Sequence, residues 1–413
     1  MAKRGSLIVL MDLYVCIVMV LFLLLPTDKS IAAELKMDPY LIMREEYNDN
    51  IFFDSSSSRK EDAFITRILP GIEASYRTEQ TDIRLSGKLQ QSWYSRLSEL
   101  DDLDQYYAGS LKYTLTPSFS MSGRAGYTID SQPDRDILET GLILSNNKRQ
   151  RQTYGASGTY VINEKTLSSL SYDYSKDTYL DTIFNNSRND IESNAVNLGF
   201  IRDLGAFGPG PLQGRMNMGY NRYRYTGTTV DSYMATVGVS SDLHEKWNFL
   251  IDGGVRRNET NFTFLSSGPT GFVERDNTEK GWGWVVQSAL SYKASYGMAR
   301  LRLSHDLVPA GGSTGVTERT GAFLDLTYRF TYELSGTFST AYIRNKADRG
   351  DFGTIGIDED TYYFSPGLRY AFTKDISIDA SYNFLRNKDK RDHTDAERNL
   401  FIVQLRMQHS LLD

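Results

Sequence analysis

Along most of the chain, apolar and polar residues alternate one for one in segments of about 10–14 residues, the period of a β-strand with two unlike faces. Phe119, Met121, Gly123, Ala125, Tyr127 and Ile129 alternate with Ser118, Ser120, Ser122, Arg124 and Thr128. The same rule governs Trp247, Phe249, Ile251, Gly253 and Val255, then Ile376, Ile378, Ala380, Tyr382 and Phe384. It returns in Phe401, Val403, Leu405, Met407, His409 and Leu411. Helical spacing at i, i+3 and i+4 is absent from these segments, so each predicts a strand.

The connections between them are of two kinds. Short polar turns are expected at Thr78–Thr81, Thr116-Pro117, Asn163–Lys165, His244–Lys246, Thr331–Glu333 and Thr373–Asp375, with longer ones near Gly205–Leu212 and Lys293–Gly297. Long polar stretches separate them: Ser95–Asp104, Asp177–Asp190, Asn258–Lys280, Lys346–Asp360 and Asn387–Glu397. Short turns alternating with long loops imply an all-β fold, a transmembrane antiparallel up-and-down β-barrel with periplasmic turns and extracellular loops. Eight such hairpins, a first strand near Tyr40–Asn48 and a last near Asn399–Leu411 predict about 18 strands, with 16 as the alternative. Asp136–Ile162 is compatible with one long strand or three.

Tyrosines recur with the strands. Tyr76, Tyr113, Tyr160, Tyr328 and Tyr370 precede short turns, and Tyr127, Tyr174, Tyr220, Tyr342 and Tyr382 follow turns by one strand length. Two belts of amphipathic rings at two interfaces are what a membrane barrel requires. A soluble solenoid or propeller also repeats short strands and aromatics, but both faces of its strands need apolar partners, and one face here is polar.

The N-terminus differs. Lys3-Arg4 precedes an apolar run from Leu7 to Leu25, and Ser30-Ile31-Ala32-Ala33 follows Pro26. Basic residues, an apolar stretch and small residues predict a cleaved secretory leader over residues 1–33, with the barrel occupying 34–413. The alternative is a permanent helical anchor. Cys16 lacks the preceding small residues of a lipidation signal, and its loss with the leader leaves a chain free of cysteine, suited to an oxidising compartment.

Composition narrows the function. One Cys and 4 His exclude a disulfide framework and a cysteine-ligated zinc site, and no metal or cofactor is expected. The net charge of −6 argues against nucleic acid as a partner. His244, His305, His393 and His409 stand at no recognisable spacing from a nucleophile or carboxylate, so no enzyme activity is expected. Asn258-Glu259-Thr260 is read as loop composition.

If the apolar set faces lipid, the opposite set lines a lumen. It includes Arg84, Lys88, Lys112, Arg124, Arg215, Arg256, Arg300, Arg302, Arg329, Arg369 and Arg406, set against Asp82, Asp173, Asp252, Asp306, Asp325 and Asp379. A basic wall favours anionic solutes, although the same charges can simply hydrate and brace the barrel. On the loops, Glu99, Asp101, Asp102, Asp104 and the Asp358–Asp360 run are candidate cation ligands toward lipopolysaccharide, with plain solvation as the simpler reading. Trp282 and Trp284 suit an upper aromatic girdle or a sugar-stacking surface.

Particular stretches add a resemblance. Arg44-Glu45-Glu46-Tyr47-Asn48-Asp49-Asn50-Ile51-Phe52, Phe64 through Ile72, and Arg149-Gln150-Arg151-Gln152-Thr153-Tyr154-Gly155 leading to Tyr160 through Thr166 resemble the second β-barrel porin family. The chain departs from the common barrel ending, since Leu411-Leu412-Asp413 has no terminal aromatic. The resemblance implies an outer-membrane pore for exopolysaccharide export, with polysaccharide as cargo. The implied partners are outer-membrane lipid and lipopolysaccharide, the barrel assembly machinery and periplasmic export proteins. A general diffusion porin for small solutes and an adhesive or structural barrel are the competing expectations.

Overall fold

A computed structural model describes residues 33–131, 148–180, 190–207, 210–225, 227–268, 271–309, 316–347 and 356–412. The expected leader, apart from Ala33, lies outside the described residues.

Eighteen strands follow one another in the chain. They are β1 (Glu34–Asn48), β2 (Ala63–Arg77), β3 (Thr81–Tyr94), β4 (Asp102–Thr116), β5 (Phe119–Asp130) and β6 (Arg149–Asn163). Next come β7 (Thr166–Tyr179), β8 (Ile191–Phe207), β9 (Gly210–Tyr225), β10 (Thr228–His244), β11 (Trp247–Gly268) and β12 (Gly271–Ala294). The last are β13 (Gly297–Pro309), β14 (Val316–Arg329), β15 (Leu334–Ala347), β16 (Ile357–Ala371), β17 (Ile376–Asp389) and β18 (Thr394–Gln408). Each pairs antiparallel with its sequence neighbours, and β1 pairs with β18, from Tyr40 opposite Gln408 to Asn48 opposite Leu400. The sheet therefore closes on itself and has no free edge, the condition a β-structure must meet to satisfy its backbone in lipid.

All eight expected turns fall between strands, and Thr331 shows why they are tight. Its Oγ1 accepts from the amides of Glu333 and Leu334 and caps the reversal, as Thr373 does for Asp375 and Ile376. The long connections differ from expectation. Asn258–Lys280 is not a loop: β11 and β12 pair continuously from Trp247 opposite Tyr292 to Gly268 opposite Gly271. Asn387–Glu397 is likewise mostly ladder, from Asn387 opposite Ala396 to Asp389 opposite Thr394. Beyond the membrane both faces of a strand meet water, so the alternation that marks strands fades there. Of Asp136–Ile162, the described part is the single strand β6, and residues 132–147 lie outside the described residues.

Directly opposed residues of an antiparallel pair point to the same side, so register carries one face around the barrel. One row runs Arg215, Gly238, Asp252, Gln287, Ser304, Gly321, Ile343 and Thr361. The opposite face carries Ile251, Val255, Leu303, Leu368 and Val403, all exposed. Buried residues such as Arg256, Ile343 and Leu385 belong to the first face, which is the inside. All ten belt tyrosines stand on the outer face. Pairs such as Tyr107–Tyr127, Tyr154–Tyr174, Tyr342–Tyr362 and Tyr382–Phe401, with centroids 4.8–6.4 Å apart, mark the end remote from the short turns. Trp247–Tyr292 and Tyr370–Phe372 mark the turn end.

Candidate functional site

The candidate site is the lumen. By register, all eleven cations read from the alternation, Arg84, Lys88, Lys112, Arg124, Arg215, Arg256, Arg300, Arg302, Arg329, Arg369 and Arg406, stand on the inner face. They do not act alike. Arg84 donates to Asp82 at 3.0 Å, Arg302 to Asp325 at 3.0 Å, and Arg369 lies 3.6 Å from Asp379. Arg124 reaches Asp173 at 2.5 Å and Arg215 reaches Asp252 at 3.2 Å. Lys88, Arg300, Arg329 and Arg406 have no carboxylate partner among the described residues. Lys88 sits 4.0 Å over the Tyr106 ring, Arg406 5.0 Å over Tyr40, Arg329 over Tyr296 and Tyr332, and Arg300 donates to Ser291.

The pairs from Arg124 and Arg215 each span three strands and depend on a glycine. Arg124, Gly155 and Asp173 occupy one row of β5, β6 and β7, and Arg215, Gly238 and Asp252 one row of β9, β10 and β11. A Cβ at Gly155 would meet Arg124 Nε at 2.6 Å and Asp173 Oδ1 at 2.7 Å. The middle strand thus offers a bare backbone over which the ion pair closes. Sequence reasoning gave each cation and carboxylate but not their partnership, because the register that aligns them is set by three strands at once. It also missed charges of both signs on the inner face, Glu46, Glu73, Asp104, Asp130 and Asp177 as well as Arg44, Arg67, Arg149, Arg151 and Arg398, several of which pair with one another.

The two halves of the lumen differ. Toward the short turns, Arg84, Arg124 and Arg302 keep 62%, 67% and 51% of their side-chain surface exposed. Toward the other end the inner face is buried. Ile65, Leu69, Gln90, Asp104, Ile343, Asn345, Thr361 and Leu385 all lie below one twentieth exposure. Some of the cover is visible: Ile51 and Leu97, from the β1–β2 and β3–β4 connections, pack on Ala63 and Ile65. Arg67 is buried on Glu46 at 3.2 Å, and Arg149 between Asp130 and Asp177.

The rest of the described cover comes from the β13–β14 tip. The β12–β13 ladder stops at Val286 opposite His305, although β12 continues upward with β11, and β13 with β14 to Pro309 opposite Val316. Above that point Leu307 and Val316, on the outward side of their own hairpin, pack with Ile191, Tyr223, Tyr225 and Val230 from the inner face of β8–β10. The tip, which is the described end of this hairpin up to Pro309 and from Val316, therefore lies inside the barrel, its back against the inner face of β8–β10. Arg256, 1% exposed, crosses Gly283 to pair with Glu318 of this tip and lies 3.8 Å from Asp306. Where the ladder ends, Trp284 stacks on His305 with centroids 3.6 Å apart. Both tryptophans are on the outer face, Trp282 with Arg257 6.0 Å from its ring.

The acidic runs are spent within the barrel. Asp102 holds Lys148 at 2.5 Å, Asp104 accepts from Gln90 and Ser131, and Asp101 accepts from the Tyr94 amide. Asp358, Glu359 and Asp360 open β16 rather than forming a loop. No group of carboxylates, His or Cys with metal-holding geometry occurs among the described residues.

A closed, even-stranded antiparallel barrel with an apolar outer band, aromatic rings at both ends and a charged interior defines a class: the chain is a porin-like β-barrel of the bacterial outer membrane. No family model matches it, and no curated protein matches it. Among solved structures, the copper transporter OprC aligns with TM-score 0.47 and 12% identity, over 89% of this chain and 65% of that one, so the chain spans just under two thirds of that protein. The ferric-catecholate import receptor Fiu of E. coli K12, open form, aligns at 0.49 with 9% identity, over 91% and 82%. OccK2 (OpdF) of Pseudomonas aeruginosa aligns at 0.44 with 11% identity, over 92% and 98%. At such scores the likeness extends no further than barrel shape.

Proposed function

We propose that the protein is a passive channel for small solutes across the outer membrane. The observation that supports this most is the shape of the lumen, an open, ion-lined half on the turn side leading to a half narrowed by the β13–β14 tip and two connections. Barrels of 16–18 strands otherwise leave a wide aqueous bore. A flexible polysaccharide needs that bore, whereas small solutes need only the passage left beside the tip. Export of an exopolysaccharide, the expectation from the family resemblance, therefore fits this lumen less well. The reading includes no catalytic step.

Conductance of the purified barrel in planar bilayers, with polyethylene glycols of rising mass added, tests it. Small glycols should enter and lower the conductance, and larger ones should be excluded. A folded barrel that conducts no ions, or one that admits glycols as wide as a polysaccharide chain, would overturn the reading.

A further inference from the structure

The open half of the lumen holds a concavity of about 710 Å³ in the inner wall of β1–β6. Its floor is made by short inward residues, Ser75, Ser86, Ala108 and Ser110, on β2, β3 and β4. Its two rims carry opposite charge. Asp38 and Glu73 stand directly across from each other on β1 and β2, on the side remote from the turns. Arg84 and Arg124 share the next inward row toward the turns, with Ser110 between them. Glu73 is opposite Ser86 and Arg84 opposite Ser75, so the rims lie two residues apart along the strands, about 7 Å.

Neither rim is neutralised from within the barrel. Like charges directly opposed in a sheet destabilise it, yet no cation lies within ion-pair distance of Asp38 or Glu73 among the described residues. The nearby cations are held elsewhere: Lys36 by Glu34 at 2.7 Å, Arg84 by Asp82 at 3.0 Å, and Lys88 and Arg406 over the Tyr106 and Tyr40 rings. On the other rim, Asp82 serves Arg77 as well as Arg84, and Lys112 stands opposite that same carboxylate. Arg124 uses only Nη2 on Asp173, which leaves its Nε and Nη1 without an acceptor among the described residues. The concavity is thus acidic along one edge, cationic along the other, and uncharged between.

We propose that this concavity binds a small zwitterion, a free amino acid, with its ammonium at Asp38 and Glu73 and its carboxylate at Arg84 and Arg124. The assignment rests on the reading of the protein as a channel for small solutes and names the class of solute. An ammonium offers several N–H donors and can answer two carboxylates at once, relieving their opposition. A carboxylate accepts charge-assisted bonds from guanidinium forks. A simple amine meets one favourable edge and one repulsive one, as does a simple carboxylate, whereas a molecule with both groups satisfies both edges. All four side chains stay in contact with lumen water, so the attraction is weak, as a solute that must also leave requires.

The test is equilibrium binding to the full-length barrel in detergent, read by saturation-transfer NMR with γ-aminobutyrate, butyrate and butylamine as probes. Wild type should bind γ-aminobutyrate about tenfold more tightly than either single-charge probe, the equivalent of one added charge-assisted bond. The double variant Asp38→Asn, Glu73→Gln should lose that advantage and bind butyrate more tightly than wild type does. Ala108→Leu fills the floor without altering a charge and should also weaken γ-aminobutyrate binding, which keeps the test decisive if the charge variant fails to assemble. Asp325→Asn, on β14 away from the concavity, should change nothing. Equal binding of the three probes by wild type, or γ-aminobutyrate binding untouched by Ala108→Leu, would overturn the proposal. A barrel that selects γ-aminobutyrate but conducts no ions would sink the channel reading and leave this site standing. One that conducts and does not select refutes this inference alone.

Discussion

Single residues in this barrel take their role from the face they occupy. Ile378 and Asp379 are neighbours in β17, yet one points to lipid and the other pairs with Arg369 inside. Ile378 stands opposite Tyr370 at the turn-end rings, so Ile378→Arg should cost about 1 kcal/mol, whereas Val403→Arg on the same outer face, set between the two belts, should cost about 2–4 kcal/mol. Asp379→Ala should cost under about 1 kcal/mol, because half-exposed pairs contribute little. Urea unfolding in lipid vesicles measures the costs, and Val403→Arg costing no more than Asp379→Ala would sink the assignment of the faces. Gly155 supplies a sharper case. Gly155→Val fits a strand but drives apart Arg124 and Asp173. The half-exposed pair adds little stability, so the barrel should still fold, and because Asp173 is released together with Arg124, reversal potentials in a salt gradient should stay close to wild type. Asp173→Asn, which leaves Arg124 alone, should shift them toward anions, and an unchanged potential in that variant would show that the pair does not mask the charge.

At the level of strands and hairpins, much was legible and some was not. The alternation from Phe119 to Ile129 and from Trp247 to Val255 gave the strands, their faces and the turns, because a wall between lipid and water must be apolar on one side only. That asymmetry ends with the membrane. Asn258–Lys280 reads as a polar loop but forms the extended β11–β12 hairpin, where neither face needs to be apolar. The inward course of the β13–β14 tip left no local signal, since Leu307 keeps the outward phase of β13 and is buried only because the whole hairpin moves inside. Arg256 was read as a wall charge, and its role in holding that tip depended on Gly283 and Glu318, distant in sequence. Arg256→Met should release the tip and raise single-channel conductance, and Gly283→Leu should do the same by displacing the Arg256 side chain. If both variants conduct as wild type does, the tip does not narrow the passage.

For the molecule as a whole, the charge that matters is what remains after pairing. Arg84, Arg124, Arg215, Arg302 and Arg369 face carboxylates, which leaves Lys112 and the four cations Lys88, Arg300, Arg329 and Arg406 unpaired against Asp38 and Glu73, a net positive remainder on this wall among the described residues. At physiological salt such charges act over about 8 Å, enough to bias ions near the wall. Replacing these four by Ser should leave folding intact and move selectivity toward cations, as read from reversal potentials. Replacing Arg84 and Asp82 together should move it little. A larger shift from the paired set than from the unpaired set would contradict this assignment.

The pairing of β1 with β18 also sets an order in time. Every other ladder joins strands adjacent in sequence and can form as soon as its own hairpin exists, whereas Tyr40 cannot meet Gln408 until the intervening strands are arranged. Loop-closure entropy grows only slowly with length, so the delay is a matter of sequence of events more than of final stability. Until that moment the growing sheet carries two bare edges whose amides and carbonyls must find partners in water, in a helper protein or in another copy. The last contact made is thus the one that ends the vulnerable period. A chain halted before β18 faces aggregation through its unpaired edges, however sound each of its hairpins is.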